Sequence, residues 1–241
     1  MSIYIYLLCF VYLGCECSAL PSKNQLNNGT NLDQNINSTT ISNDLNTTIT
    51  EKADNVKEKV LIQLYYECLC PFCTHFYTEV FIPTIREIGD YLDVRTYPYG
   101  NAWTNKRNGS YVFDCQHGRA ECYGNKLHAC ALDLLQNKTQ ALVFNSCLME
   151  GNSDDSDADY CGKNQNVDAD SIKECAKGNK GTLLLKYYGD ESAKGQYNYV
   201  PYLVINGEHR TRSNFMYKVC KIFTVTPPPC VEVLKSEEDN K

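Results

Sequence analysis

The sequence lacks an excess of positive charge and lacks long apolar segments. Its 241 residues hold 23 lysine and arginine residues against 29 aspartate and glutamate residues, which gives a formal net charge of −6 at pH 7. Because nucleic-acid binding needs a basic face, this balance argues against a general nucleic-acid-binding protein. The longest apolar run begins IYIYLLCFVYLG near the amino terminus and spans about 13 residues, short of the ~20 residues that a membrane-spanning helix needs.

The amino-terminal run also lacks a preceding lysine or arginine, so only the amino terminus supplies positive charge there. Small residues at Cys17 and Ala19 nevertheless suit cleavage near Ala19–Leu20, and we predict a signal peptide over residues 1–19. An uncleaved signal anchor is the alternative. The carboxyl-terminal EEDNK is not an endoplasmic-reticulum retrieval sequence.

Cysteine is abundant, with 14 residues, and five Asn-x-Ser/Thr sequons occur along the chain. The sequon asparagines are Asn28, Asn37, Asn46, Asn108 and Asn137. Together with the signal peptide, these features indicate a glycoprotein of an oxidising lumen, where disulfide bonds persist. Residues 20–57 are rich in asparagine, threonine, serine and aspartate, and they predict a disordered, glycosylated linker or pro-segment that acts as a spacer.

Ordered structure is predicted to begin at KVLIQLYYE, which indicates a strand from about Val60 to Tyr66. A Cys-Pro-Phe-Cys unit follows, and the apolar spacing of THFYTEVFIPTIREIGDYL then predicts a helix that Pro83 kinks. LDVRTYPYG predicts a second strand. Strand, Cys-x-x-Cys, helix and strand are the opening of a thioredoxin-like α/β fold, which we assign to a domain over residues 58–230.

The region from about 104 to 190 predicts a helical insertion that disulfide bonds hold together. NKLHACALDLLQNKTQALVFNSCLME indicates two helices, and the acidic GNSDDSDADY indicates a loop. DADSIKECAKG predicts a helix that is capped at Asp170 or Ser171 and ends at Gly178. The cysteines of this region are Cys115, Cys122, Cys130, Cys147, Cys161 and Cys175.

The last part of the chain predicts the second half of the thioredoxin topology. Asn206-Gly207 between two strand-like runs is a strong signal for a two-residue hairpin loop. SNFMYKVCKIF predicts a closing helix with a cap at Ser213. TPPPC, which ends at Cys230, predicts an extended segment, and residues 231–241 predict a charged tail.

The Cys-Pro-Phe-Cys unit predicts a redox pair. A strand that leads into a helix places Cys70 at the helix N-terminus, where free backbone N–H groups stabilise a thiolate. Cys73 lies one turn further on, close enough to form a disulfide with Cys70. Pro71 fits the first turn because its missing N–H is not needed there. We therefore expect Cys70 to be an exposed nucleophile and Cys73 to be the resolving thiol.

Two further residues belong to this prediction. Pro201 begins a strand and is expected to follow a cis peptide bond beside the pair, where it forms a docking edge for substrate. Cys68 is the odd cysteine: the signal peptide holds three of the 14, and the redox pair takes two of the remaining 11. The nine that remain cannot all pair. Cys68 is either that free thiol or, as we favour, a disulfide tether to the insertion.

The Cys-x-x-Cys unit has two alternative roles. It could be half of a zinc site whose remaining ligands come from Cys115, His117 and Cys122. It could also be purely structural, although a disulfide across two residues closes almost no loop and stabilises little.

CQHGRAECYGNKLHAC resembles the signature of the gamma-interferon-inducible lysosomal thiol reductase (GILT) family, as do CPFC, YPYGNAW and VPYLVING. The resemblance covers about residues 58–230. The signature positions are Cys115, Gln116, His117, Gly118, Glu121, Cys122, Asn125 and Cys130. We expect the signature cysteines to form structural disulfides. His117 either favours the Cys70 thiolate or is a packing histidine, and His75 either tunes the site or is a solvated helix histidine.

The resemblance implies a thiol reductase of endosomes and lysosomes that is active at acid pH and is secreted in some relatives. Its partners would be disulfide-bonded protein substrates and a small-thiol or protein reductant, and it would need no metal and no bound cofactor. The same pair of cysteines could instead serve a disulfide oxidase or isomerase of the secretory pathway, because the reduction potential decides the direction. A third possibility is a secreted glycoprotein that binds a partner.

Overall fold

The computed structural model describes residues 59–238. The predicted signal peptide, the predicted linker and the sequons at Asn28, Asn37 and Asn46 lie outside the described residues. Asn108 and Asn137 lie within them, and both are exposed. Across residues 59–238, none of the helices combines the length and the apolar character that a membrane crossing requires.

The first strand and helix form where the sequence predicts them. Strand β1 spans Val60–Tyr66 and pairs in parallel with β2, Leu92–Pro98. The intervening helical segment contains α1 (Pro71–Phe76), a π-helical turn (Tyr77–Phe81), α2 (Ile82–Ile88) and a 3₁₀ turn (Gly89–Tyr91). The π-helical turn lies just before Pro83, where a proline interrupts regular helical hydrogen bonding.

The second half of the sheet closes on β1. Strand β5, Tyr202–Ile205, pairs antiparallel with β1 and with β6, Glu208–Arg210, which gives the strand order β2-β1-β5-β6. The two-residue loop at Asn206 and Gly207 has φ values of 47° and 83°, as a hairpin turn of this type requires. With the closing helix α8, Phe215–Cys220, the sheet has the thioredoxin-like arrangement that the sequence predicts.

The insertion spans more than the predicted range and contains a hairpin that the sequence pattern does not predict. Strands β3 (Ala102–Arg107) and β4 (Ser110–Cys115) pair only with each other. Five helices follow: α3 (Arg119–Leu134), α4 (Lys138–Glu150), α5 (Asp155–Gln165), α6 (Ala169–Lys177) and α7 (Asn179–Lys194). Two disulfides, Cys130–Cys175 and Cys147–Cys161, join α3 to α6 and α4 to α5, so the insertion is helical and disulfide-stapled.

Two details of the predicted insertion are wrong. The acidic GNSDDSDADY was expected to be a loop, but its second half begins α5 because Asp154 and Asp157 form a capping box there. Acidic groups in a first helical turn also interact favourably with the helix dipole. The next helix is capped by Asp168 rather than by Asp170 or Ser171, since the Asp168 side chain accepts from the backbone N–H of Ser171.

The carboxyl-terminal predictions also need correction. Asn214, not Ser213, is the N-cap residue of α8, and its side chain makes no capping hydrogen bond. The segment predicted as extended instead starts a helix, α9, over Pro228–Glu238. Proline is tolerated in a first helical turn, and a disulfide between Cys220 and Cys230 ties α9 to α8. The predicted charged tail is therefore helical as far as Glu238.

A buried polar network joins the sheet to the insertion. The Tyr66 hydroxyl, at the end of β1, lies 2.8 Å from Nδ1 of His128 on α3. Nε2 of His128 lies 3.2 Å from the Ser153 hydroxyl, and the Asn145 amide donates to the His128 carbonyl at 3.2 Å. All four side chains are buried. Burial lowers the pKa of His128 to about 3, so this histidine stays neutral inside the fold at mildly acid pH.

This network predicts a specific acid sensitivity. An unfolded histidine binds a proton below about pH 6.5 while folded His128 does not, so stability is lost as the pH falls through that value. Between about pH 7.5 and pH 5, the wild type should lose about 2 kcal/mol more unfolding free energy than His128→Gln. Urea denaturation at the two pH values measures this difference. The exposed His75 provides a matched control, His75→Gln, which should follow the wild type. Equal pH dependence in the wild type and His128→Gln would contradict the assignment.

Candidate active site

Cys70 lies between the end of β1 and the first turn of α1. It is the N-cap residue of α1, with extended backbone angles (φ −71°, ψ 121°), and its carbonyl accepts the first helical hydrogen bond from the N–H of Thr74 at 2.9 Å. Pro71 occupies the first turn, as predicted. Cys73 follows one turn along the same helix. Neither cysteine is in a disulfide in this structure.

The two thiols have opposite electrostatic environments. The hydrogen bond from the Cys73 thiol lowers the pKa of Cys70 to about 6 against the effect of burial, with further contributions from the backbone N–H groups of Cys73 and Phe72 and the charge of His117. Burial raises the pKa of Cys73 well above its ordinary value, and the Cys70 thiol adds to this. At neutral pH the pair therefore holds one thiolate, at Cys70, and one thiol.

The structure corrects the expected exposure of the nucleophile. Only 7% of Cys70 is solvent accessible, because Cys70 and Cys73 both lie at the edge of the main apolar core. Between the two cysteines, Pro71 and Phe72 are exposed, and Phe72 is 71% solvent accessible.

Cys68 is a free thiol, so the favoured prediction of a tether to the insertion is wrong. The insertion cysteines are already paired with one another, including Cys115 with Cys122. Cys68 is instead buried against α3: its backbone N–H donates to Asn125 Oδ1 at 3.0 Å, and its Sγ lies 3.6 Å from the Glu121 carbonyl. A Cβ on Gly124 would lie 2.5 Å from this sulfur. The thiol therefore packs tightly in the space that a glycine leaves.

The same pairing contradicts the zinc alternative. Cys115 and Cys122 are joined across the start of α3 and cannot supply thiolate ligands to a site shared with Cys70 and Cys73.

The remaining signature residues make structural contacts where the insertion follows β2 and meets the redox segment. Asn101 donates to Gln116 Oε1 at 2.6 Å, and Asn125 donates to the Tyr99 carbonyl at 3.4 Å. Gly118 has φ 82°, in the left-handed region that favours glycine, and it is the residue before α3. These roles are structural and depend on contacts between distant segments, which is why the sequence alone did not reveal them.

A buried acid that sequence reasoning missed lies beside the thiols. Glu67 directly precedes Cys68 and is fully buried. Its Oε2 accepts from the Asn101 backbone N–H at 2.7 Å, and its Oε1 lies 3.5 Å from Nδ1 of His117. His117 also contacts both carboxylate oxygens of Glu121, through its backbone N–H at 3.0 Å and its Nδ1 at 2.6 Å. A charged residue between Tyr66 and Cys68, in an otherwise apolar strand end, was the signal available in the sequence.

The groups of this cluster perturb one another. Burial, followed by the charges of Glu121 and Cys70, raises the pKa of Glu67 to about 7, although the bond from Asn101 and the charge of His117 oppose this. Partial burial disfavours the charged form of His117, but its hydrogen bond to Glu121 and the nearby carboxylates raise its pKa above the ordinary value. One ring nitrogen of His117 and one carboxylate oxygen each of Glu67 and Glu121 lie within 4.8 Å of one another. Because both Glu121 oxygens already accept from His117, we describe the cluster as a hydrogen-bond network.

Pro201 lies near the redox segment, since it lines a cavity together with Phe72. The Val200–Pro201 peptide bond is cis, which is the geometry that the sequence predicts. Pro201 and Phe72 line one cavity of about 490 Å³, together with His75, Tyr199, Arg210 and Arg212. Its lining therefore combines the aromatic rings of Phe72 and Tyr199 with the two arginine residues.

The sequence of this chain is similar to those of several named proteins. A family model described as gamma interferon inducible lysosomal thiol reductase (GILT) matches residues 61–178. The chain is 31% identical to the gamma-interferon-inducible lysosomal thiol reductase of Carassius auratus over 192 residues, which cover 75% of this chain and 76% of that protein. The protein of the same name from Mus musculus is 31% identical over 175 residues, covering 70% of each.

A solved structure has the same fold. Reduced DsbA from Mycobacterium tuberculosis matches with a TM-score of 0.53 at 16% identity, covering 77% of this chain and 92% of that one. At this identity the match shows the thioredoxin-like fold alone.

The state of Cys68 is open to a direct test. In fully oxidised protein, unfolding without reductant should expose one alkylatable cysteine among those that follow residue 19, and peptide mass mapping should place it at Cys68. In native protein the same thiol should not react, because it is 1% exposed. Recovery of Cys68 in a disulfide-linked peptide would restore the tether interpretation.

The unequal thiols predict a pH profile of alkylation. In reduced native protein, the rate of iodoacetamide reaction should rise with a midpoint near the Cys70 pKa of about 6, with the label at Cys70. Cys73 should remain unlabelled at neutral pH because its pKa is raised. Cys70→Ser should abolish the fast reaction, and a midpoint near the ~8.5 of an ordinary cysteine would contradict the electrostatic description.

Proposed function

Because the chain belongs to the gamma-interferon-inducible lysosomal thiol reductase family and is therefore a thiol-disulfide oxidoreductase, we propose that it reduces protein disulfide bonds at acid pH, in endosomes or lysosomes or after secretion. The observation that carries the proposal is the difference between the two thiols of the Cys-Pro-Phe-Cys unit. One is stabilised as a thiolate at a helix start, and its neighbour is held as a thiol.

The chemistry follows from this difference. The Cys70 thiolate attacks one sulfur of the substrate disulfide, which forms a mixed disulfide and releases the other substrate sulfur as a thiolate that takes up a proton. Cys73 then loses its proton and attacks the Cys70 sulfur. This step forms the Cys70–Cys73 disulfide and releases the second substrate thiol. The substrate gains two electrons and two protons, and an external small-thiol or protein reductant returns the pair to the dithiol.

The lowered pKa of Cys70 matters most in acid. At about pH 5 a thiol of pKa ~8.5 is roughly 0.03% ionised, whereas one of pKa about 6 is roughly 10% ionised. Intrinsic nucleophilicity falls with pKa, at a Brønsted slope of ~0.4–0.5, and this removes about half of the gain on a logarithmic scale. The remaining advantage is roughly twenty-fold, which supports activity at a pH where an ordinary cysteine is nearly inert.

The cavity beside the redox segment suits an extended polypeptide as substrate. Phe72 and Tyr199 are exposed aromatic side chains that line this cavity together with Pro201, and aromatic surfaces of this kind bind apolar side chains of a chain segment. Pro201 begins the segment that leads into β5. We assign to it the docking of the substrate backbone next to the sulfur that Cys70 attacks.

The proposal is tested with a denatured, disulfide-bonded protein as substrate, near pH 4.5 and near pH 7, with a small thiol as reductant. Wild type should reduce the substrate at the acid pH, and Cys70→Ser should lose at least ~100-fold in rate because no thiolate remains to attack. Cys73→Ser should accumulate a mixed disulfide with substrate, visible on non-reducing gels.

The matched control is Cys68→Ser, which alters the buried thiol two residues before Cys70 and should keep the activity of the wild type. Unchanged turnover in Cys70→Ser would refute the catalytic assignment. Activity confined to neutral pH would refute the acid-compartment proposal.

A further inference from the structure

The buried Glu67 occupies a position that the rest of the site is shaped to hold. One carboxylate oxygen accepts the Asn101 backbone N–H at 2.7 Å. Gly100, with φ 64°, leaves the space for this carboxylate, since a Cβ at Gly100 would overlap Glu67 Oε2. The other oxygen, Oε1, is buried and has no hydrogen-bond partner among the described residues. An ionised carboxylate in this state is costly, because one of its oxygens is desolvated without compensation.

His117 does not remove that cost. Its Nδ1 lies 2.6 Å from Glu121 and 3.5 Å from Glu67, so the closer carboxylate takes the hydrogen bond. Glu121 also accepts the His117 backbone N–H. Two buried carboxylates thus share one imidazolium, and two like charges in one site favour the protonated form of one of them. The geometry selects Glu67, whose Oε1 is left without a donor.

Glu67 is coupled to the nucleophile. The charge of a Cys70 thiolate is among the causes that raise the pKa of Glu67. Interaction free energies between two titrating groups are reciprocal, so an ionised Glu67 must oppose the Cys70 thiolate by the same amount. His117 acts in the opposite direction, since its positive charge lowers the pKa of Cys70.

We propose that the Glu67–His117–Glu121 cluster positions charge around Cys70 in a proton-dependent way: in acid, Glu67 binds a proton and so removes the negative charge that opposes the thiolate, while His117 keeps its positive charge. Glu67 is a positioning residue in this scheme and forms no bond to substrate. The inference rests on the proposed role of Cys70 as the nucleophile.

The order in which these groups titrate decides whether the cluster favours or opposes the Cys70 thiolate at a given pH. Below about pH 7 Glu67 takes up its proton, and the neighbouring carboxylates favour the charged form of His117, so the cluster favours the thiolate in the range where bulk protons oppose it. Above that range Glu67 ionises, but Cys70 is then already a thiolate.

The groups that face Glu67 are Cys68, Cys70 and Cys73 on its own segment, and His117, Glu121 and Tyr197 from the insertion and the segment after it.

Three of these facing groups stay neutral in the relevant range. Burial raises the pKa of Cys68, Cys73 and Tyr197, the last to about 12. The pH response of the cluster that bears on the thiolate therefore comes from Glu67, His117 and Cys70.

Two neutral variants with different predictions test this inference, with the pH midpoint of Cys70 alkylation as the readout. Glu67→Gln is neutral at every pH, as wild-type Glu67 already is over most of the Cys70 transition, so it should keep the midpoint close to that of the wild type. His117→Gln removes the favourable charge and should raise the midpoint, by on the order of half a pH unit. Glu87→Gln, which removes an exposed carboxylate of α2, is the control and should leave the midpoint unchanged. A purely structural role of the cluster would slow both variants without raising the midpoint of His117→Gln.

A second measurement needs no variant of the cluster. Infrared difference spectra of reduced wild type should contain a protonated carboxylic acid band at pH 5 that is lost with a midpoint near 7. The midpoint should fall in Cys70→Ser, where no thiolate can form. An unchanged infrared midpoint in Cys70→Ser, or an alkylation midpoint in Glu67→Gln that moves by about half a pH unit or more in either direction, would overturn the inference. Since alkylation and infrared titration need no substrate, they fail independently of the reductase assay.

Discussion

The contact between the end of β1 and the first turns of α3 is the constraint on which the site depends. Cys68 packs against Gly124, and its backbone N–H is held by Asn125, so the residues on either side of it have fixed positions. Glu67 is thereby held inside the protein beneath the insertion, and Cys70 is held at the start of α1. A side chain at position 124 would push the strand end and α3 apart, because a Cβ there would already overlap the Cys68 sulfur and Cβ of Ser153.

This constraint explains why a long signature in the insertion accompanies a short redox motif in the sheet. The Cys115–Cys122 disulfide and Gly118 shape the turn that places His117 beside the thiols. Glu121 holds the imidazole, and Asn125 holds the strand end. The insertion thus supplies part of the electrostatic environment of Cys70. The thioredoxin-like sheet and helices alone do not form the whole site.

The sequence predicts what is local and periodic, and it does not predict what depends on distant contacts. Strand β1, the position of Cys70 and the hairpin at Asn206-Gly207 each follow from a pattern of a few residues. The hairpin β3–β4 has weak alternation and pairs only with itself, so its pattern is not distinctive. Whether Cys68 is free depends on how the insertion cysteines pair in disulfides. The number of cysteines in the sequence does not give that pairing. Glu67 was missed because a single charge after a strand is usually solvated, and only the packing of α3 shows that this one is buried.

The buried ionisable groups also determine how the free energy of unfolding depends on pH. His128 stays neutral in the folded protein, whereas an unfolded histidine binds a proton between pH 7 and pH 5. This difference lowers the free energy of unfolding by about 2 kcal/mol over that range. Glu67 has the opposite linkage: its folded pKa is about 7 against ~4.3 in an unfolded chain, so the folded state binds the extra proton and gains roughly 2–3 kcal/mol over the same range. The two contributions nearly cancel. A buried acid that assists the thiolate in acid therefore also offsets the cost of the neutral histidine that joins the insertion to the sheet.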